Sequence, residues 1–170
     1  MPINVFVSVG RTFNPQQELF VSSVENYLTE AGLRPRTVGR NDFTHKQPLQ
    51  LIDELMCRSA GALILALERV AIDQGKERGG PPAGVRIENE LLSTPWNQIE
   101  AAFAYARRLP ILVVREQGVR AEGLLEGRYD WFVHSTPLDP AFLTSNDFIG
   151  TFRSWQREVK KRAGFFACRR

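Results

Sequence analysis

Cysteine and histidine are scarce in this sequence, with two of each among 170 residues. Cys57 and Cys168 stand far apart, without C-x-x-C spacing or a neighbouring histidine cluster, so a disulfide framework or a zinc site has little support and a reducing compartment is expected. His45 and His134 are too distant in sequence to make a metal motif, and no metal is expected. Long apolar runs are also missing. Nothing approaches the roughly 20 residues that span a bilayer, and no basic flank, apolar run and small-residue cleavage site open the chain, which reads as a cytoplasmic protein without a membrane partner. Charge of one sign is nearly absent too: 22 basic residues against 19 acidic leave +3, and much of the excess lies in Arg157, Lys160, Lys161, Arg162, Arg169 and Arg170. Without interleaved aromatics or a reading motif, this stretch reads as a solvated helix end, not a nucleic-acid surface.

What is present is enough apolar residue, 43%, for one domain to bury a core without staples. Residues 1–165 read as that domain and 166–170 as a basic tail. Ile3 to Val9 is short, β-branched and broken by Gly10, as a buried strand entering a turn is. Asn14, Pro15 and Gln17 supply a cap, a first-turn proline and a capping-box partner for a helix that stops at Gly32. Leu33 to Val38 reads as a second strand, the set from Pro48 to Met56 as a short helix, and Gly61 to Leu67 as the central strand. Between Glu68 and Leu92 the composition turns to glycine, proline and charge, which reads as an inserted loop and predicts a flexible insertion over 73–92. Thr94 and Pro95 then start a helix whose apolar face is read as Trp96, Ile99, Phe103 and Ala106. Pro110 to Val114 and Trp131 to His134 read as the last strands, before a closing helix over about Phe148 to Lys161. Strands alternating with helices predict an α/β fold: an open, mostly parallel sheet of about five strands in flavodoxin-like order 2-1-3-4-5, with helices on both faces.

In that order the winding reverses between strands 1 and 3, and a crevice opens at their carboxyl ends. The loop Gly10-Arg11-Thr12-Phe13 and the helix starting at Thr94 both face it. Glu100 lies one turn beyond Trp96, and position 104, where a stabilising Lys or Arg would stand, is Ala. The spacing leaves two readings open, an ordinary surface glutamate or a carboxylate aimed beside an aromatic ring. Trp96 and Phe13 offer stacking faces or core packing, while Phe103 reads as core. Arg11 and Arg40 suit bidentate pairing with a diphosphate, or plain solvation. Asp42 and His45 make an acid/base pair or a capping turn, the turn being favoured, and His134 reads as a packed or surface histidine.

The stretch from Trp96 to Ala106, running into Leu109-Pro110-Ile111-Leu112-Val113-Val114, resembles the glutamate-bearing helix and following strand of nucleoside 2-deoxyribosyltransferases and TIR domains; Val5-Phe6-Val7-Ser8 is similar to the first TIR strand. The resemblance implies that Glu100 is the catalytic residue of an N-glycosidase, with NAD+ as a substrate and no resident cofactor. It implies an NAD+ glycohydrolase or cyclase in bacterial antiviral defence or nucleotide signalling, working as an oligomer or filament, with a separate sensor or activator protein as a further partner. Ser8, Gly10 and Arg11 then lie near ribose and phosphates and Phe13 and Trp96 line the ring site, while Arg40, Asp42, Phe43 and Asn97 complete the substrate-binding set. Leu92-Ser93-Thr94-Pro95 stands where the transferases carry Asp and Gly, which ranks base exchange lower. The other alternative is a nucleotide-sensing or assembly module without catalysis.

Overall fold

The computed structural model describes residues 2–45, 47–78, 84–128 and 131–165. The expected tail 166–170 and the glycine-proline stretch 79–82 lie outside the described residues. The chain runs β1 (Ile3–Val9), α1 (Pro15–Glu30), β2 (Leu33–Arg36), α2 (Pro48–Cys57), β3 (Ala62–Ala66), β4 (Val70–Glu77), β5 (Val85–Leu92), α3 (Pro95–Ala106), β6 (Ile111–Glu116), β7 (Val133–Thr136) and α4 (Asn146–Phe165). Five strands form one sheet in the order β2-β1-β3-β6-β7, every neighbouring pair parallel. With the β4-β5 ribbon set aside, this is the expected 2-1-3-4-5 order.

Side chains alternate across a strand, so the apolar runs of β1, β3 and β6 feed both faces. Val5, Val7, Leu63, Leu65, Leu112 and Val114 pack against Phe20, Val24 and Leu28 of α1 and Phe148, Phe152, Trp155 and Val159 of α4. Phe6 and Ala62 face α2 through Ile52, Leu55 and Met56 on the other side, and Ile64, Ala66 and Val113 meet Ala101 of α3. Each fully buried aliphatic or aromatic side chain contributes about 1.5–3 kcal/mol. Helix α1 begins as expected, the Asn14 side chain accepting the Gln17 N–H at 2.8 Å, and the chain turns after it at Gly32, whose φ of 78° suits glycine.

Several boundaries differ from the sequence reading. β2 stops at Arg36, because Thr37 to Asp42 closes on itself: Gly39 N–H donates to Asp42 O and Asp42 N–H to Thr37 O. β7 starts two residues later than expected, since Trp131 is taken up by the α3 side of the sheet, where its ring packs edge-on to Tyr105. Gln17 does not complete a capping box; its Oε1 accepts the N–H of Phe13, one residue before the cap. Cys57 is disulfide-bonded, against the expectation of reduced thiols; Cys168 lies outside the described residues.

The expected loop of 68–92 is in fact an antiparallel ribbon, β4 on β5, from Val70↔Leu92 to Glu77↔Val85. Both its faces are largely exposed, so its strands alternate weakly and the β-branched signal of Val70, Ile72, Val85 and Ile87 is diluted by charge. Arg120 touches the ribbon twice: its N–H donates to Leu91 O at the base and its guanidinium pairs with Glu77 near the outer end, at 2.7 Å. Asn89, opposite Asp73 and at φ 54°, sits in the left-handed region that breaks the regular pairing.

At Gly61 the closeness of α4 to the sheet can be tested. A Cβ there would lie 2.5 Å from Val159 Cγ2 and 3.2 Å from the Trp155 ring, both buried. Gly61→Ala is expected to destabilise by about 1–3 kcal/mol, measured as a lower urea midpoint with an unchanged slope.

Candidate functional site at the switch point

β1 and β3 pair in parallel with Ser8 opposite Ile64 and Val9 opposite Leu65, and their exits diverge to α1 on one face and α3 on the other. Helix α3 is started by Thr94, whose side chain accepts the Trp96 N–H at 3.3 Å, and by Pro95 in the first turn. Gly10 lies against this helix start: a Cβ at Gly10 would stand 3.3 Å from Thr94 Cγ2. The β1 loop and the α3 N-terminus therefore meet at the switch point.

The face that α3 turns to the sheet is Asn97, Glu100, Ala101 and Ala104. The expected face of Trp96, Ile99, Phe103 and Ala106 is corrected: Trp96 (42% exposed), Ile99 and Ala106 look outward, and only Phe103 packs in part on the core. The reason is steric. The strands beneath present Ser8, Ala62, Ile64 and Ala66, and the small residues of α3 permit the close approach that leaves no room for an indole.

Asn97 is fully buried, and its Nδ2 donates to Ser8 Oγ at 2.8 Å and to the Leu65 carbonyl at 3.3 Å. Glu100 is only 7% exposed, and burial pushes its pKa up to about 7, with the Ser8 hydroxyl opposing by favouring the anion. A carboxyl in this state exchanges its proton near neutrality, within reach of both acid/base and charge-stabilising chemistry.

A second polar group ties the loops around this point. Gln17, buried at the start of α1, accepts from Phe13 N–H at 3.3 Å and donates to Glu68 O at 3.1 Å and to Glu116 Oε2 at 3.3 Å. Glu116 in turn accepts the Glu68 N–H at 2.7 Å. One amide and one carboxylate thus pin the exits of β1, β3 and β6 together. The sequence reading gave Gln17 only a capping role and did not name Glu116; a carboxylate ending an apolar strand was the available signal for the latter.

The other expected residues are dispersed. Ser8 is buried under α3, and Arg11 and Phe13 (58% exposed) stand open on the β1 loop. Arg40 is engaged by Glu18 and Glu25, and Glu18, its carboxyl lowered to about 2 chiefly by Arg40, also accepts from Thr12 of the β1 loop at 2.6 Å. Arg40 therefore props that loop through Glu18. Asp42 forms a bidentate pair with Arg36 and caps no helix, α2 starting after Gln47 without a side-chain cap, and Phe43 is 75% exposed beyond β2. His134 is packed among Phe132, Phe142 and Phe148, and burial lowers its pKa. A cavity of about 570 Å³, lined by Tyr105, Arg108, Trp131 and Glu158 among others, lies at the opposite end of α3 and the amino end of β6, away from the strand ends where Glu100 sits. Among the described residues no group of three or more His, Cys, Asp or Glu gathers as a metal site, and no helix is long and apolar enough to cross a membrane.

Fold and site together define a doubly wound, flavodoxin-like α/β domain with a buried carboxyl at its switch point. No protein-family model and no curated protein matches the chain. Among solved structures it is similar to the CMP N-glycosidase BcmB of Clostridium botulinum, at 13% identity and TM-score 0.55, over 86% of this chain and 98% of that one. It is also similar to the Flv1 flavodiiron core of Synechocystis, at 13% identity and TM-score 0.52, over 94% of this chain and 36% of that one. The TIR domains of the activated Roq1 resistosome align at 14% identity with a TM-score of 0.44. The first two likenesses show the fold.

The raised Glu100 pKa makes stability depend on pH in a defined direction. A carboxyl near 4.5 in the unfolded chain and about 7 in the folded one keeps its proton longer when folded, so its contribution is full below about 4.5, falls as pH rises to about 7 and is level above. Glu100→Gln removes this dependence. The stability gap between variant and wild type is expected to widen by on the order of 3 kcal/mol between pH 4.5 and 7, measured by urea unfolding across that range. A gap that does not change with pH would mean that Glu100 ionises normally.

Proposed function

We propose that this chain is a nucleotide-processing N-glycosidase of TIR-like or deoxyribosyltransferase-like architecture, hydrolysing or cyclising NAD+ with Glu100 as its working carboxylate. The observation that carries the reading is the buried Glu100 carboxyl on the sheet-facing side of α3, at the strand ends where this fold places ligands. As the bond from the ribose anomeric carbon to the nicotinamide nitrogen breaks, its electron pair goes to the pyridinium nitrogen, which leaves neutral and needs no proton. The ribose becomes oxocarbenium-like, and an anionic Glu100 on that side stabilises the charge until water or an internal nucleophile adds at the anomeric carbon and loses a proton. Phe13 on the β1 loop and Trp96 at the start of α3, both exposed, supply stacking faces for the rings, and Arg11 a partner for phosphate. Bacterial defence or nucleotide signalling in the cytoplasm, with activity gated by assembly or a sensor protein, belongs to this reading.

A second substrate, a pyrimidine nucleotide, is favoured by the likeness to the CMP N-glycosidase over nearly the whole of both chains. Its base leaves poorly without a proton, so a protonated Glu100 would serve as acid there. A module that binds a nucleotide without cleaving it is favoured by the full burial of Ser8 and Asn97.

The pH profile separates these. With NAD+, nicotinamide release is expected from wild type, lowered on the order of 10²-fold or more in Glu100→Gln, with kcat/KM rising through about pH 7 as Glu100 ionises and level above. Cytosine release from CMP with the opposite slope supports the second substrate. No release of either base, at low or high protein concentration, overturns the enzyme reading in favour of the binding module.

A further inference from the structure

Two hydrogen bonds of different kind tie the loop after β1 to α1. The Phe13 N–H is taken by the neutral side chain of Gln17 at 3.3 Å, whereas the Thr12 hydroxyl donates to the Glu18 carboxylate at 2.6 Å. Glu18 lies in the first turn of α1 with its side chain half exposed, where nothing but a partner keeps it from turning into solvent. Arg40 is that partner. Its Nη1 and Nη2 donate to the two Glu18 oxygens at 3.0 and 2.9 Å, and its Nε and Nη2 donate to Glu25 at 3.3 and 3.0 Å. Every nitrogen of the guanidinium is thus committed. Arg40 itself stands on the turn Thr37 to Asp42, which backbone bonds and the Arg36–Asp42 pair close. An unbroken chain of contacts runs from the β2 turn to the β1 loop.

We propose that Glu18 is a positioning residue of the site: it carries the anchorage of the β2 turn, through Arg40, to Thr12 and so fixes where the loop presents Arg11 and Phe13. This deepens, and rests on, the reading of that loop as substrate-facing, and it assigns Arg40 to the anchorage instead of to a substrate phosphate. Two carboxylates around one guanidinium leave this corner negative, which turns an anionic group away from Arg40. Arg11, by contrast, has no hydrogen bond or ion pair among the described residues, so it is the cation this loop keeps open to an anion. The Glu18 carboxyl, lowered to about 2 chiefly by Arg40, stays ionised at neutral pH, and the tie stays made.

The first measurement needs no ligand. Hydrogen exchange of the Phe13 amide, one residue beyond the tie, is followed by NMR in the full chain, with β3 amides reporting global opening. Thr12→Val, which removes the hydroxyl and keeps the shape, and Glu18→Ala are each expected to speed Phe13 exchange by about threefold or more relative to β3. Thr12→Ser, which restores the hydroxyl, is expected to exchange as wild type does. The double variant of Thr12→Val with Glu18→Ala is expected to add nothing to either alone, because the two residues act in series. Unchanged Phe13 exchange in Thr12→Val, effects that add, or a Thr12→Ser that behaves like Thr12→Val would overturn the proposal. In the nicotinamide-release assay Thr12→Val is expected to raise KM about threefold or more with kcat within about twofold, since Arg11 and Phe13 hold the substrate away from the breaking bond. A fall in kcat at unchanged KM would overturn the positioning role. A loop that loosens as expected in a protein that releases no base would sink the glycosidase reading alone.

Discussion

The parallel pairing of β1 with β3 is the constraint on which the rest of the molecule depends. It sets Ser8 opposite Ile64 and Val9 opposite Leu65 at the carboxyl end of the sheet, and it forces the chain to leave in opposite directions, through α1 on one face and past the ribbon into α3 on the other. Every polar group of consequence at that end answers a need created there. Asn97 satisfies Leu65 and Ser8 under α3, and Gln17 with Glu116 satisfies the backbone of Phe13 and Glu68 where the loops diverge. Unpaired, each of these buried groups would cost about 1–3 kcal/mol.

Close packing and polarity are linked in α3. A helix that carried its large residues inward would stand further from the strands and leave the Leu65 carbonyl and Ser8 hydroxyl without partners. Turning Ala101 and Ala104 inward brings the axis close, and the same rotation buries Asn97 and Glu100 and exposes Trp96. Burial of Glu100 without a cationic partner among the groups that shift it is what moves its pKa toward neutrality. The chemistry attributed to the site is therefore a consequence of how the helix is seated.

The order of elements and the place of the crevice were legible because they rest on local signals: a β-branched run broken at Gly10, a helix stopped at Gly32, and Pro15, Pro48 and Pro95 in the first turns of three helices. Glu100 was legible as a position without a stabilising i+4 partner. The ribbon was not, because strands exposed on both faces carry no clear alternation, nor was the hub at Gln17, whose partners lie 51 and 99 residues away. Arg40 and Asp42 read as ligand contacts from their place after a strand, whereas in the structure the carboxylates of Glu18 and Glu25 engage Arg40 and the guanidinium of Arg36 engages Asp42.

By itself the sequence determined the strand and helix alphabet of this protein and, through right-handed crossovers, the sheet order and the strand ends where a ligand can sit, since periodicity and capping act within a few residues. Only the tertiary structure decided which face of α3 meets the sheet, and with it the burial of Glu100 and the bonding of Asn97. That choice depends on the size of Ala62, Ala66 and Ser8 on strands far away in sequence, and steric fit between distant segments leaves no mark in the spacing of the helix that answers it.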